Sequence, residues 1–518
     1  MRRDAMSNIQ LTKSHYTAGV QCAKRMYLLV HQSESAAAPS DDVQLRFSQG
    51  QTVGKMARDR FAEGVLVTAS GSAIQSALDQ SLNLVKDVNA PAIFEGAFAW
   101  ENLLVRVDIL RNNLDGTWDI IEVKSTTELK DEHLDDIAFQ LLVCQKAGVK
   151  IRRVFLSHIN SDVRFPNLEE FFVDHDLTEA ALAHLPYVET KLKVLIAALE
   201  HPAPPEQRIG RHCSNPYGCE FKDRCWASVP KGSTLELYNY RKRKPTKFEL
   251  YHEGPKLIQD LKNEVELTRF QQVQFLASKT DEPIVNEEGL IEFLNQVRYP
   301  IYYFDFETIA PAIPSLTGMR PYQRIPVQFS CHIQRAPGAE LIHREFLASN
   351  HPGVDPRQEC IEAMKAVFEE VGTIVAYHDD FERSLIRELA QSFPESSNFL
   401  LELESRFWDL EDAFQHHFYH RSFGGSVSIK KVLPFFAPEM KYENLAIKNG
   451  GQAQAALVKL FSDELPRGVK EQLRIDLLTY CAQDSMAMVV IHQKLLKRLL
   501  ESNVKFIRPH REVAHVGI

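Results

Sequence analysis

The chain has 518 residues, of which 44% are hydrophobic and 25% charged. These proportions are ordinary for a folded globular chain and exclude collagen-like, coiled-coil and disordered classes. With 60 Lys and Arg against 69 Asp and Glu, the net charge is −9, which excludes a histone-like protein that holds nucleic acid by bulk charge.

At about 150 residues per domain, the length predicts roughly two to four domains. The opening Met1-Arg2-Arg3-Asp4-Ala5-Met6 leads into polar Ser7-Asn8, with no apolar core of a signal peptide. No stretch approaches the ~20 apolar residues of a membrane helix. Eight cysteines are too sparse for a disulfide scaffold, so a cytoplasmic chain is expected. Cys22 stands alone near the start, and Ser33 to Ser40 reads as a loop.

Strands are predicted at Ile93–Phe98, Leu103–Leu110, Trp118–Val123 and Val154–His158. Asp108 lies in the second of these. Glu122 and Lys124 lie at the end of the third, where residues two apart share a face. A hairpin through Asn112-Asn-Leu-Asp-Gly-Thr would bring Asp108 beside them. Two carboxylates can hold a hard divalent cation, and an ammonium can offset phosphoryl charge or position water. A solvated Glu–Lys pair on a surface hairpin is the alternative that spacing alone leaves open.

Cys213, Cys219 and Cys225 follow at intervals of five intervening residues, in a polar stretch containing Gly and Pro. With Cys22 they make four thiolates, the ligand set of a 4Fe-4S cluster. Structural zinc also takes four, usually from closer Cys pairs. Free buried cysteines are the third reading.

Pro230-Lys231-Gly232-Ser233 and the basic run Arg241-Lys242-Arg243-Lys244-Pro245 open a stretch with helical periodicity. Three segments are therefore expected: a first domain over 1–230, a helical connector over 231–295 and a second domain over 296–518. The basic run could track a nucleic-acid strand, or be a solvated linker.

In the second domain, strands are predicted at Tyr302–Phe306, Gln328–Ile333, Leu341–Leu347 and Thr373–Tyr377, and a helix at Leu473–Leu499. Strands alternating with helices give an α/β class for both domains. Asp305 and Glu307 share one face of an aromatic-rich strand. Buried carboxylates need a partner, and a metal ion is a natural one. Tyr480 and Asp484 stand four apart on one helix face. Between them lies the acid-rich Ile374-Val-Ala-Tyr-His-Asp-Asp-Phe-Glu-Arg.

The first set of residues resembles the RecB-like branch of the PD-(D/E)XK nuclease superfamily. Asp108, Glu122 and Lys124 match its Asp…Glu-x-Lys motif, and Gln140 matches the Gln of its Gln-x-x-x-Tyr helix. Cys144 stands where that Tyr would be, and Gly54 where the branch carries a His. One early and three late cysteines are similar to RecB-like nucleases with an iron–sulfur staple, including the CRISPR-adaptation exonuclease family and the AddB nuclease domain. The resemblance implies a restriction-endonuclease-like core, one Mg²⁺ or Mn²⁺, and a 4Fe-4S cluster on Cys22, Cys213, Cys219 and Cys225, with zinc the rival.

The second set resembles the DnaQ-like (DEDD) 3′–5′ exonucleases on a ribonuclease H-like fold. Asp305 and Glu307 match Asp-x-Glu. Glu382 falls at the third acid, with Asp379 and Asp380 as rivals. Asp484 matches the fourth, and Tyr480 implies the Tyr subtype. The resemblance implies two Mg²⁺ or Mn²⁺ ions. Pro326-Val-Gln-Phe-Ser, Trp408-Asp-Leu and Gly425-Ser-Val-Ser-Ile-Lys-Lys-Val-Leu-Pro resemble a bacterial family of uncharacterised proteins with this two-nuclease layout. Lys430 and Lys431 in the last stretch could touch phosphates, or be solvated.

Together these resemblances imply a metal-dependent nuclease acting on DNA single strands or ends, in repair or in defence against foreign DNA. RNA or a nucleotide is the rival substrate, and a DNA-holding platform the rival role for the first domain.

Overall fold

The computed structural model describes residues 10–69, 73–87, 89–262, 265–349, 354–462 and 465–501. The residues read above for a signal peptide lie outside them. Among the described residues, no helix is long and apolar enough to cross a membrane. The chain divides into two compact α/β units, Met1–Ser228 with Pro311–Gln323, and Val229–Ala310 with Arg324–Ile518.

The first unit runs β1 (Leu11–Thr12), α1 (Lys13–Gln21), α2 (Ala23–His31), α3 (Asp41–Arg58), β2 (Val65–Leu66), α4 (Ile74–Lys86) and β3 (Ala92–Trp100). It continues with β4 (Leu103–Asn112), β5 (Trp118–Lys124), α5 (Glu132–Lys146), β6 (Ile151–Ile159), β7 (Phe172–Asp176), α6 (Thr178–Glu200) and α7 (Lys222–Trp226). The sheet order is β2-β3-β4-β5-β6-β7, with β1 added in parallel to the start of β4. β3, β4 and β5 are antiparallel neighbours, and β5 and β6 are parallel.

Alternation along β4 sends Leu103, Val105 and Val107 into a core shared with Ile137, Phe139 and Leu142 of α5. Each such side chain contributes about 1.5–3 kcal/mol when fully buried. Tyr16 of α1 stacks on Phe139 with centroids 4.6 Å apart. The Phe165 N–H donates to the Met319 carbonyl, the Gly318 N–H donates to the Phe165 carbonyl, and Tyr322 donates its hydroxyl to the Ser125 carbonyl, which ties residues 311–323 to this unit.

The second unit contains α8 (Lys247–Glu253), α9 (Arg269–Ala277), β8 (Ile284–Val285), α10 (Glu287–Leu294), β9 (Ile301–Ile309), β10 (Ile325–Gln334), β11 (Leu341–Leu347) and α11 (Pro356–Val367). Then come β12 (Thr373–Ala376), α12 (Asp380–Ser392), α13 (Ser397–Glu404), β13 (Phe407–Asp409), β14 (Phe418–Tyr419), α14 (Ile429–Phe436), α15 (Gly450–Phe461) and α16 (Arg467–Glu501). Its main sheet is ordered β11-β10-β9-β12-β13, antiparallel across the first three strands and parallel across the last three. The stretch over 231–295 contributes α8 to α10, and β8 pairs with β14. Thr246 and Thr268 start α8 and α9 with capping boxes that satisfy the free N–H groups of the first turn. On β9, Phe304 and Phe306 pack with Phe329 and Ile386, so Asp305 and Glu307 project from the opposite face.

Candidate metal sites and a cysteine cavity

The antiparallel register sets Ile109 against Ile121, which places Asp108 beside Glu122. Asp108 accepts the backbone N–H of Val123 at 2.8 Å. Glu122 is buried at 2% exposure, and both its oxygens are engaged. Lys124 and Lys13 each donate to Oε1 at 2.7 Å, and Gln140 donates to Oε2 at 2.8 Å. Asp136 accepts from Lys124 at 2.5 Å and from Gln140 at 3.1 Å. Of the four residues expected from the sequence, Glu122, Lys124 and Gln140 thus stand in one hydrogen-bond network, and Asp108 lies beside it on the neighbouring strand. Asp136 and Lys13 belong to it as well. Asp136 was legible, since it precedes Gln140 by four residues on one helix. Lys13 carried no signal, being 109 residues from Glu122.

The electrostatics separate the two acids. Burial and then the charge of Glu122 push the Asp108 carboxyl up to about 7. Burial also raises Glu122, but Lys124 and Lys13 outweigh it and hold its carboxyl well below the usual range. Neighbouring carboxylates driven apart in this way are a pattern of functional sites. Gly54 on α3 has open space where a side chain would project. Cys144 is fully buried.

Cys22, Cys213, Cys219 and Cys225 line one cavity, with Lys24, Arg25, Arg208 and Lys222 around it. Burial pushes the Cys22 and Cys219 thiols up. The Gly210 N–H points to Cys213 Sγ at 3.5 Å. Four thiols, a backbone donor and a cationic rim fit an anionic cluster or a zinc ion alike. Either would close a loop of about 190 residues.

In the second unit, Asp305, Glu307 and Asp484 bring carboxylate oxygens within 4.8 Å of one another. Burial raises Asp305 and Glu307 well above the carboxylate range, and the charges of Asp484 and Glu382 add to it. Burial raises Asp484 too. Like charges this close favour either a proton or a cation between them.

Glu382 is buried at 4% exposure, and its Oε2 lacks a hydrogen-bond partner. Burial lifts it to about 8. It stands outside the three-carboxylate group but adds to the field on Asp305 and Glu307. Of its rivals, Asp379 is ion-paired with Arg383 at 3.5 Å, and Asp380 is exposed.

Tyr480 lies beside Asp484 and hydrogen-bonds it. Two further residues complete the surroundings. Tyr442 donates to Asp484 Oδ1 at 2.5 Å, and Lys430 donates to the Tyr480 hydroxyl at 3.1 Å. The Lys430 ammonium also sits 4.9 Å from the Tyr442 ring centre. Lys430 is therefore engaged with the acids, whereas Lys431 is exposed.

His378, Asp409 and Glu411 form a second group with ligand atoms within 4.8 Å. Asp409 of the Trp408-Asp-Leu motif accepts the N–H groups of His378 and Glu411, both at 2.8 Å, and of Asp379 at 3.3 Å. Its carboxylate pins the turn that starts α12.

These features define an α/β protein with acidic groups suited to divalent cations. Residues 302–428 match the model of a domain of unknown function, DUF2779, which spans β9 to the residue before α14. The chain is similar to an uncharacterized Ureaplasma parvum protein, UU173, at 24% identity over 42% of this chain and 34% of that one. It is also similar to the uncharacterized protein MG366 of Mycoplasma genitalium, at 24% identity over 38% and 32%. The MG366 homolog of Mycoplasma pneumoniae is 26% identical over 36% and 31%. Each match spans about a third of the relative's length. A crystal structure of SSO0001 aligns at 13% identity with a TM-score of 0.24, over 43% of this chain and 88% of that one.

Proposed function

We propose that the chain is a divalent-metal-dependent nuclease of DNA, cutting 3′–5′ from single strands or ends with its second unit. The observation that carries this reading is the convergence of Asp305, Glu307 and Asp484 within 4.8 Å, on a strand and a helix far apart in sequence. Three carboxylates crowded against each other, half-buried at Asp305 and Glu307 and buried at Asp484, are poorly stable without cations. Two Mg²⁺ or Mn²⁺ ions held by Asp305, Glu307, Asp484 and Glu382 would supply the charge that a phosphodiester needs as it is attacked. Tyr480 then orients water, with its oxygen held by Lys430 and its proton directed to Asp484.

In the first unit, Asp108 and Glu122 would hold one Mg²⁺ or Mn²⁺. The four-cysteine cavity would carry a 4Fe-4S cluster as a structural clip, with zinc the competing occupant. A second reading for this unit is a strand-holding platform. The engagement of both Glu122 oxygens favours it, because a metal ion must displace a hydrogen bond there.

The test is Mn²⁺-supported cleavage of end-labelled single strands of DNA and of RNA by the wild type and Asp305→Ala. Loss of 3′–5′ products from DNA in the variant supports the proposal. Undiminished cleavage, or cleavage of RNA alone, contradicts it.

A further inference from the structure

The first site contains an ammonium that its motif does not supply. Lys13 is the first residue of α1, and its position is fixed from both ends. On one side Leu11 pairs with Leu103 in β4, the strand that carries Asp108. Thr12 caps the helix, its hydroxyl accepting the His15 N–H at 3.4 Å while the His15 ring accepts the Thr12 N–H at 3.3 Å. On the other side α1 ends at Cys22 on the cysteine cavity. There Gln21 donates to the carbonyls of His212 at 2.6 Å and Tyr217 at 2.7 Å. Arg25 pairs with Glu220 at 2.7 Å. In between, Gly19 lies so close to Leu195 that a Cβ would stand 2.7 Å from its side chain.

The charge balance says what Lys13 is for. Asp108, Glu122 and Asp136 face Lys124 and Lys13, which leaves one negative charge when all three acids are ionised. A divalent cation turns that into one positive charge. Held by Asp108 and Glu122, it would compete with the two ammonium groups for Glu122, whose Oε1 accepts from Lys13 and Lys124, both at 2.7 Å. Lys13, about a quarter exposed, would then keep only its longer ion pair with Asp136, 3.4 Å, and is the ammonium placed to meet an incoming anion. Lys124 keeps its bond to Asp136.

We propose that Lys13 is a phosphate-binding residue of the first site, delivered by a helix that the cysteine clip holds in register. The inference rests on the proposed nucleic-acid role of this unit, whether cutting or holding. It assigns a contact to the strand's backbone and couples it to the clip, about nine residues away along α1.

The experiment measures binding of a fluorescein-labelled single-stranded oligodeoxynucleotide by the full chain, in Ca²⁺ to hold off cleavage, over a range of salt. One phosphate contact contributes about 0.7 to the log–log salt slope for a single strand. Lys13→Met should lower the slope by about that amount with the iron or zinc content of the clip unchanged. Lys13→Arg should keep the wild-type slope. Cys22→Ser should lower the slope as Lys13→Met does, and the double variant should lose no more.

An unchanged slope in Lys13→Met overturns the contact. An equal loss in Lys13→Arg overturns it too, because it marks a structural role. A wild-type slope in Cys22→Ser overturns the coupling. A wild type that binds no strand overturns the nucleic-acid reading itself, which separates that failure from failure at Lys13.

Discussion

Tyr442 donates its hydroxyl hydrogen to Asp484 Oδ1 at 2.5 Å, across 42 residues of sequence. The contact turns an irregular segment before α15 into part of the wall around three carboxylates. It holds one oxygen of Asp484 and leaves the other for Tyr480 or a cation. A hydrogen bond to a charged group is worth about 1.5–3 kcal/mol. Tyr442→Phe is therefore expected to slow Mn²⁺-dependent cleavage by about 10- to 100-fold. Single-turnover rates in an Asp108→Ala background check this, and an unchanged rate would place Tyr442 outside the site.

Lys430 acts in the opposite electrostatic sense to the acids. Its charge lowers Glu307 and Asp484 against the upward push of burial. Lys430→Met removes that help, so both carboxyls hold their protons to higher pH. The acidic limb of the pH–rate profile is expected to move to higher pH. A limb that stays in place, with only the maximum rate reduced, would assign Lys430 to substrate contact alone.

Glu382 gives a stability test. Its carboxyl is raised from the ordinary 4.5 to about 8 by burial and by Asp379 and Asp409. Between those values the folded state binds more protons than the unfolded state, so metal-free stability falls as pH rises through this window. Glu382→Gln removes the dependence. In EDTA its melting temperature should exceed that of the wild type by a margin that grows from pH 4.5 to pH 8. A margin independent of pH would show that Glu382 does not titrate there.

The cysteine clip predicts a spectroscopic and a thermal change together. Cys22→Ser should bleach the visible absorbance of the anaerobically purified protein. It should also lower the melting temperature of the first unit by roughly 5–15 °C, as expected for loss of a cross-link closing a long loop. A colourless wild type containing zinc would replace the cluster with a zinc site and keep the thermal expectation.

Much of this arrangement was readable from the sequence because strands and helices place residues by simple periods. Asp305 and Glu307 share a face because they are two apart in β9. Tyr480 and Asp484 share one because they are four apart in α16, and the same rule links Asp136 to Gln140. The strands from β3 to β6 and from β9 to β12 stood out as β-branched and aromatic runs. What escaped is what long-range packing brings in. Lys13 reaches Glu122 only because β1 adds to β4. Tyr442 sits in a short turn with no periodicity, and Lys430 looks like any solvated lysine until α14 is placed beside α16. Residues 311–323 lie between two strands of the second unit, yet fold with the first. No local pattern announces that.

Two separate acidic groups, one around Asp108 and one around Asp305, are proposed to act on nucleic acid. One matrix tests this most directly: wild type, Asp108→Ala, Asp305→Ala and the double variant, each with Mg²⁺ and Mn²⁺ on single- and double-stranded DNA and RNA labelled at either end. Asp305→Ala is expected to abolish 3′–5′ products from DNA, Asp108→Ala to remove a separate activity or weaken strand binding, and the double variant to be inert. Full activity in both single variants would contradict this.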